Sequence, residues 1–390
     1  MSPIPRLLLG VLLLAPLALP AQAKKRPAQQ FEMTPLPAVP TLPDAFPQVV
    51  GTQAFAPAYK FTKDEAVLEA AKGISEMGSR ILKINAVSGG QLTPYIAMPF
   101  THYVLWYRSN AAWAGGLTPE MKRREYNATY LFAKDLLTRY DTAGKSFFLG
   151  HWEGDWYLLP DRDVKKDPPV ERCEAMVEWL NLRQKAVEDA RSEVPYAKCR
   201  VFTYAEVNRV RDAMKDGRRR MVNAVLPKAK VDFVSYSAYD CQLLPAEEVR
   251  ATLDYVNLQL APKPGLPTKR VFIGECGLSW EACGGDGVQH ERRNRELITK
   301  FLSWRPALVL YWQYYNNEVV DGRQVGFWLV DHRNQKTPLY ATLAALLAAQ
   351  EESAREMRYR YRRLPGSDEM AVFSDGWLTD RARLPAPNAK

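Results

Sequence analysis

Histidine is scarce in this sequence: His102, His151, His290 and His332 are the only four in 390 residues. None stands in an H-x-H or H-E-x-x-H arrangement, so the common catalytic-metal patterns are excluded and neither metal nor other cofactor is expected. Cysteine is also sparse. Cys173, Cys199, Cys241, Cys276 and Cys283 form no C-x-x-C pair, which excludes zinc ribbons and thioredoxin-type redox motifs. One or two disulfides are permitted, with Cys276 to Cys283 or Cys241 conceivable, and the odd count leaves a thiol free. A G-x-S-x-G nucleophile elbow is absent. Gly144-Lys145-Ser146 is no phosphate loop, because Arg139 stands where the first glycine belongs and the segment enters a strand. The basic clusters Arg218-Arg219-Arg220 and 358–363 account for much of a formal charge of +9. No nucleic-acid module accompanies them, so they read as solvated helix faces; an anionic substrate stays open.

What is present begins with a leader. Residues 1–23 hold Arg6, an apolar run over 7–19 and Ala21-Gln22-Ala23, the layout of a secretory signal peptide. That run is too short to span a bilayer, and no later segment is a transmembrane candidate. A secreted or periplasmic chain cleaved near Ala23 is the expectation. Residues 24–49, with Pro27, Pro35, Pro37, Pro40, Pro43 and Pro47, read as an extended linker or strap.

From residue 50 to about 350 the chain alternates. Apolar strand candidates fall at 51–56, 80–85, 103–107, 147–152, 200–204, 231–236, 269–275 and 307–313. Helical stretches follow most of them, at 62–77 with Thr62 as N-cap, 118–140 with Thr118 as cap and Pro119 at the first position, 170–192, 210–225, 245–259, 289–304 and 337–350. Such alternation predicts an α/β fold, and eight strands make it a (β/α)8 TIM barrel; a doubly wound open sheet is the alternative. Residues 351–390, charged and with an apolar patch around Val372, Phe373 and Trp377, read as a C-terminal appendage packed on the barrel.

Barrel enzymes carry their chemistry at the carboxyl ends of the strands. Glu153, in Gly150-His151-Trp152-Glu153-Gly154-Asp155-Trp156, ends the fourth strand candidate, and Glu275 ends the seventh. Two carboxylates about 5 Å apart are what retaining glycoside hydrolysis requires. Counting back from Glu275 by twos places Ile273 and Val271 in the barrel interior, with Gly274 leaving room beside the acid. Aromatics crowd the same rim, among them Trp106, Trp152, Trp156 and Trp312, and their faces can stack on sugar rings. Asp155, Glu206, Asp240 and Glu318 are further rim acids, read as supporting or subsite residues, with Glu206 the substitute for Glu153.

With these residues in place the chain resembles clan A of the glycoside hydrolases, over roughly residues 50–350. The resemblance implies an acid/base at Glu153, a nucleophile at Glu275 within Ile273-Gly274-Glu275-Cys276-Gly277, and β-glycoside substrates. It also implies a tyrosine after strand six bonded to the nucleophile, for which Tyr236 and Tyr239 are both candidates, and a sugar-site floor at Trp312. The clan's usual Asn before the acid/base is Trp152 here. His151, Asn208 or Asn85 could take over its contact with the sugar 2-hydroxyl; otherwise the site has changed its substrate, or the barrel is a carbohydrate-binding protein that has lost catalysis. Oligomeric state is not legible.

Overall fold

The computed structural model describes residues 46–87, 92–108, 113–140 and 145–385; the expected signal peptide and most of the Pro-rich segment lie outside them. Eight parallel strands close into a barrel in chain order. They are β1 (Val50–Ala54), β2 (Ile81–Val87), β3 (His102–Arg108), β4 (Ser146–Gly150), β5 (Arg200–Val207), β6 (Phe233–Ser237), β7 (Val271–Cys276) and β8 (Val309–Tyr311). Pairing of β1 with β8, Val50 opposite Val309, completes the ring, so the open-sheet alternative is excluded. Strands buried on both faces read as continuous apolar runs, which is why the sequence displayed them.

The helices lie between the strands: α1 (Ala66–Glu76), α2 (Thr93–Ile96), α3 (Pro119–Arg139), α4 (Gly154–Leu158), α5 (Val170–Glu193), α6 (Val210–Asp216), α7 (Met221–Ala224), α8 (Ala246–Leu258), α9 (Gly287–Leu302), α10 (Pro338–Tyr361) and α11 (Ser367–Thr379). Thr118 caps α3 by accepting from Met121 N–H at 3.2 Å, with Pro119 opening the helix. Thr62 does not cap α1. The Glu65 carboxylate takes the Val67 and Leu68 amides instead, while Thr62 bonds the Glu69 carboxylate. The expected helix over 210–225 is broken into α6 and α7, because Gly217 turns left-handed at φ 63° and ends α6. After β8 a small hairpin of β9 (Val319–Val320) and β10 (Arg323–Gln324) precedes α10, which runs past residue 350.

The appendage packs through α11. Met370, Ala371, Trp377 and Leu378 are buried, Gln350 donates to the Ser374 hydroxyl at 2.6 Å, and Val372 is half exposed. All five cysteines are buried free thiols, so neither conceivable disulfide forms.

The lower barrel interior is aromatic. Phe148 of β4 meets Phe202 of β5, Phe233 of β6 and Phe272 of β7, with ring centroids 5.4, 5.3 and 6.1 Å apart. Contact between β4 and β7 crosses the lumen, so Phe272 points inward and Val271 and Ile273 face the helices. This reverses the expected parity. Pairing of β7 is irregular on both sides, between Tyr236 and Ser237 of β6 and between Ile273 and Cys276 toward β8. An irregularity of this kind re-aims the residues beyond it, and it brings Glu275 to the lumen although Phe272 and Gly274 hold the inward register.

Candidate active site

A charged layer sits directly above the aromatic one, at its centre a lysine. Lys83 of β2 is fully buried, and its ammonium lies 3.0 Å from Glu206 Oε2 and 3.3 Å from Glu275 Oε1. It also donates to the Gly274 carbonyl at 3.0 Å, so its three N–H bonds have three acceptors. The Trp106 ring lies beneath it, 4.9 Å from Nζ to centroid. Burying an ammonium is tolerated only when it is paired, and here two carboxylates do so.

Glu206 ties this lysine to the opposite side of the lumen. Its Oε2 also accepts the Ser235 hydroxyl at 2.6 Å, and its Oε1 accepts the backbone N–H of Glu153 at 3.0 Å. Gly274 is required here, since a Cβ at that position would meet Ser235 Oγ at 1.8 Å and Glu206 Oε2 at 3.0 Å. β5 runs to Val207, farther than expected, which puts Glu206 in the lumen and not beyond it.

The two expected catalytic acids open into this layer from different supports. Glu153 stands three residues past the end of β4, at the start of α4, and its Oε2 accepts the Trp156 indole N–H at 2.7 Å. Burial, then the Glu206 charge, push its carboxyl up to about 8. Glu275 belongs to β7; besides Lys83 it accepts the Tyr239 hydroxyl on Oε2 at 3.4 Å. Burial drives it well above the usual carboxylate range, the Lys83 ammonium pulls it back, and the charges of Glu206 and Glu153 push it up again. The Tyr239 phenol is raised well above its ordinary value by burial and then by both acids, so it stays a proton donor.

His151 uses both ring nitrogens. Its Nδ1 lies 2.9 Å from the Trp152 carbonyl and its Nε2 accepts the Glu206 N–H at 3.3 Å. Burial lowers it to about 4, which keeps it neutral with the proton on Nδ1. Asn208 accepts the Asp155 N–H on Oδ1 at 3.1 Å, and Asp155, 1% exposed, takes the amides of Asn208, Arg209 and Met221. These two residues therefore lock the loop after β4 to the loop after β5. Of the two tyrosines, Tyr239 reaches Glu275, whereas Tyr236 donates to Asp240.

Trp152 and Trp312 belong to an aromatic wall. Trp106 lies 6.4 Å from each, Trp312 stacks on Phe55 at 5.6 Å, and Arg162 covers Trp152 at 5.4 Å. Trp312 also donates to Glu318 Oε1 at 3.3 Å. Asn85, two residues past Lys83 on the same strand face, is exposed at the rim and paired across with Trp106. Lys83 and Ser235 went unremarked in the sequence reading. The signal for Lys83 was available: a single lysine inside the apolar run Ile81-Leu82-Lys83-Ile84 has no solvent to reach in a closed barrel.

No family model matches the chain, and no curated protein matches it. Solved structures similar to it include a Bacteroidetes-affiliated GH5 cellulase, 13% identical over 78% of this chain and 90% of that one, TM-score 0.47. A family 5 xyloglucanase from Paenibacillus pabuli is 11% identical over 81% and 98%, TM-score 0.48. A Parabacteroides merdae β-glucuronidase is 12% identical over 76% of this chain and 36% of that one, TM-score 0.46. At such identities and TM-scores the likeness carries no argument, and both fold and chemistry rest on this chain's own closed barrel of eight parallel strands and the residues in its lumen.

Proposed function

We propose that the chain is an exported retaining β-glycosidase, or polysaccharide-cleaving enzyme, in which Glu153 is the acid/base and Glu275 the nucleophile. The observation that carries this reading is the joining of the two acids through Lys83 and Glu206: the lysine ammonium bonds the Glu275 carboxylate, and Glu206 holds the Glu153 backbone amide. Glu153, raised to about 8, is protonated at neutral pH and can give its proton to the departing glycosidic oxygen. Glu275 attacks the anomeric carbon as the carboxylate; burial opposes that form, and the Lys83 ammonium and the Tyr239 hydroxyl favour it. Glu153, now ionised, then takes a proton from the incoming water, which releases the sugar with retained configuration. The wall of Trp106, Trp152 and Trp312 offers faces to a sugar ring. Asn85 supports the reading too, as the open amide at the rim, since His151 and Asn208 already have partners.

A screen of aryl β-glycosides tests this. Turnover by the wild type is expected to vanish in Glu275→Ala with the circular dichroism spectrum unchanged, and to fall most for poor leaving groups in Glu153→Ala. Full activity in either variant defeats the reading. Trp152 in the usual Asn position favours a second one, a carbohydrate-binding barrel without catalysis; glycan binding with no hydrolysis of any glycoside would establish it. Export is supported by the 1–23 leader pattern and predicts a secreted or periplasmic protein whose first residue is Lys24 by N-terminal sequencing. Among the described residues no helix is long and apolar enough to cross a membrane.

A further inference from the structure

One ammonium and three carboxyl groups share this lumen, and Glu206 bonds both the backbone of Glu153 and the lysine that holds Glu275. We propose that Glu206 is a positioning residue that couples the two reacting acids: one of its oxygens holds the Glu153 backbone amide, and the other is held by Ser235 and by the lysine that holds Glu275. The inference rests on the hydrolytic reading for its meaning, though its geometry does not depend on turnover.

The groups facing Glu206 come from every neighbouring element. Lys83 of β2 and Ser235 of β6 lie at 3.0 and 2.6 Å from Oε2, and the Glu153 N–H after β4 at 3.0 Å from Oε1. His151, neutral, accepts the Glu206 backbone N–H, and Tyr204 of β5 senses its charge. Glu275 of β7 shares its lysine, and its Tyr239 partner follows β6. With these donors around it, the Glu206 carboxyl sits where its charge acts on both reacting acids. A proton leaving Glu153 during catalysis therefore adds negative charge beside Glu206. Lys83 bonds Glu206 and Glu275 at the same time, so it links the charge on one to the other. The fixed charge thus keeps Glu153 protonated until Glu275 has been consumed as the nucleophile, and makes its reprotonation favourable afterwards.

The test reads Glu153 without substrate. Trp156 donates its indole proton to Glu153, so the pH-dependent fluorescence that is lost in both Trp156→Phe and Glu153→Gln reports Glu153 ionisation. In Glu206→Gln, which keeps an acceptor for the Glu153 amide, the midpoint is expected to fall by about one pH unit or more, because a like charge has gone. Ser235→Ala removes a hydroxyl that attenuates the Glu206 charge and is expected to move the midpoint the opposite way, upward, by less; it decides the matter if Glu206→Gln does not fold. A merely structural Glu206 would lower activity and leave the midpoint in place, and an unchanged midpoint in the folded variants overturns the coupling. A shifted midpoint with no glycoside turned over keeps the coupling and rejects the hydrolase. Turnover dependent on Glu153 and Glu275 with an unshifted midpoint does the reverse.

Discussion

Two layers of the same barrel, three to four residues apart along β5 and β7, are built on opposite principles. The lower one, Phe148, Phe202, Phe233 and Phe272, is dry and aromatic, and each ring is at most 1% exposed. The upper one places Lys83, Glu206 and Glu275 in equal burial, at 0, 0 and 3%. Apolar burial stabilises the lower layer directly, whereas charges in the upper layer must satisfy one another before they are tolerable at all. The contrast teaches which groups serve the fold: substitutions below should remove protein, and substitutions of the two acids above should remove activity while the protein stays folded.

The largest effect expected is on Glu275. Glu275→Gln should lower kcat/KM on an aryl β-glycoside by roughly 10⁴-fold or more, as loss of a nucleophile does. Its melting temperature should not fall, because Lys83 keeps Glu206 as a matched partner. A fall of many degrees would break the contrast by giving the upper layer a structural role.

Glu153→Gln comes next, with a loss of roughly 10²- to 10⁴-fold in kcat/KM, the range for general acid–base catalysis. Wild-type activity should decline as pH rises through about 8, where Glu153 loses its proton, and this limb should vanish in the variant. Stability follows the same group. Because the folded value is raised above the ordinary one, its contribution is complete below the usual carboxylate range and is lost as pH climbs toward about 8. Glu153→Gln should flatten that part of the stability profile in urea melts.

In the lower layer, Phe272→Ala should cost about 3–5 kcal/mol by urea denaturation. The fraction still folded should retain its kcat. Lys83→Met should cost a similar amount, about 3–5 kcal/mol, by leaving Glu206 and Glu275 without their cation. It should abolish turnover as well, so the pair of variants separates stability alone from stability joined to chemistry.

The smallest effect is expected at Asn85. Replacing it with alanine should raise KM or lower kcat by about five- to tenfold, one net hydrogen bond of about 1 kcal/mol, without moving the melting temperature. No change would leave the 2-hydroxyl contact to another group and weaken the idea that the rim of β2 compensates for Trp152.

The legible part of this protein was whatever repeats or is punctuated. Eight strands showed as apolar runs because both faces of each are covered, and α3 announced itself through Thr118 and Pro119, whose roles depend only on adjacent residues. Glu153 and Glu275 were visible as acids where buried strands stop. Less local matters were misjudged. Thr62 yielded the α1 cap to Glu65 because Glu69 claimed its hydroxyl, and the interior parity of β7 reversed because the pairing irregularity after Ile273 is set by neighbouring strands. Asn208 looked open toward a sugar, yet its amide oxygen is taken by Asp155 of a distant loop.

By itself, then, the sequence determined the eight-fold alternation, the strand ends and the two acids that stand there, since these follow from local periodicity and from residues a few positions apart. Only the tertiary structure decided that Lys83 lies between Glu206 and Glu275, that Tyr239 and not Tyr236 reaches the strand-seven acid, and that Glu153 hangs by its backbone from Glu206. Closing a ring brings residues more than a hundred positions apart within hydrogen-bonding distance, and the low dielectric of the closed lumen then decides which of them can hold charge.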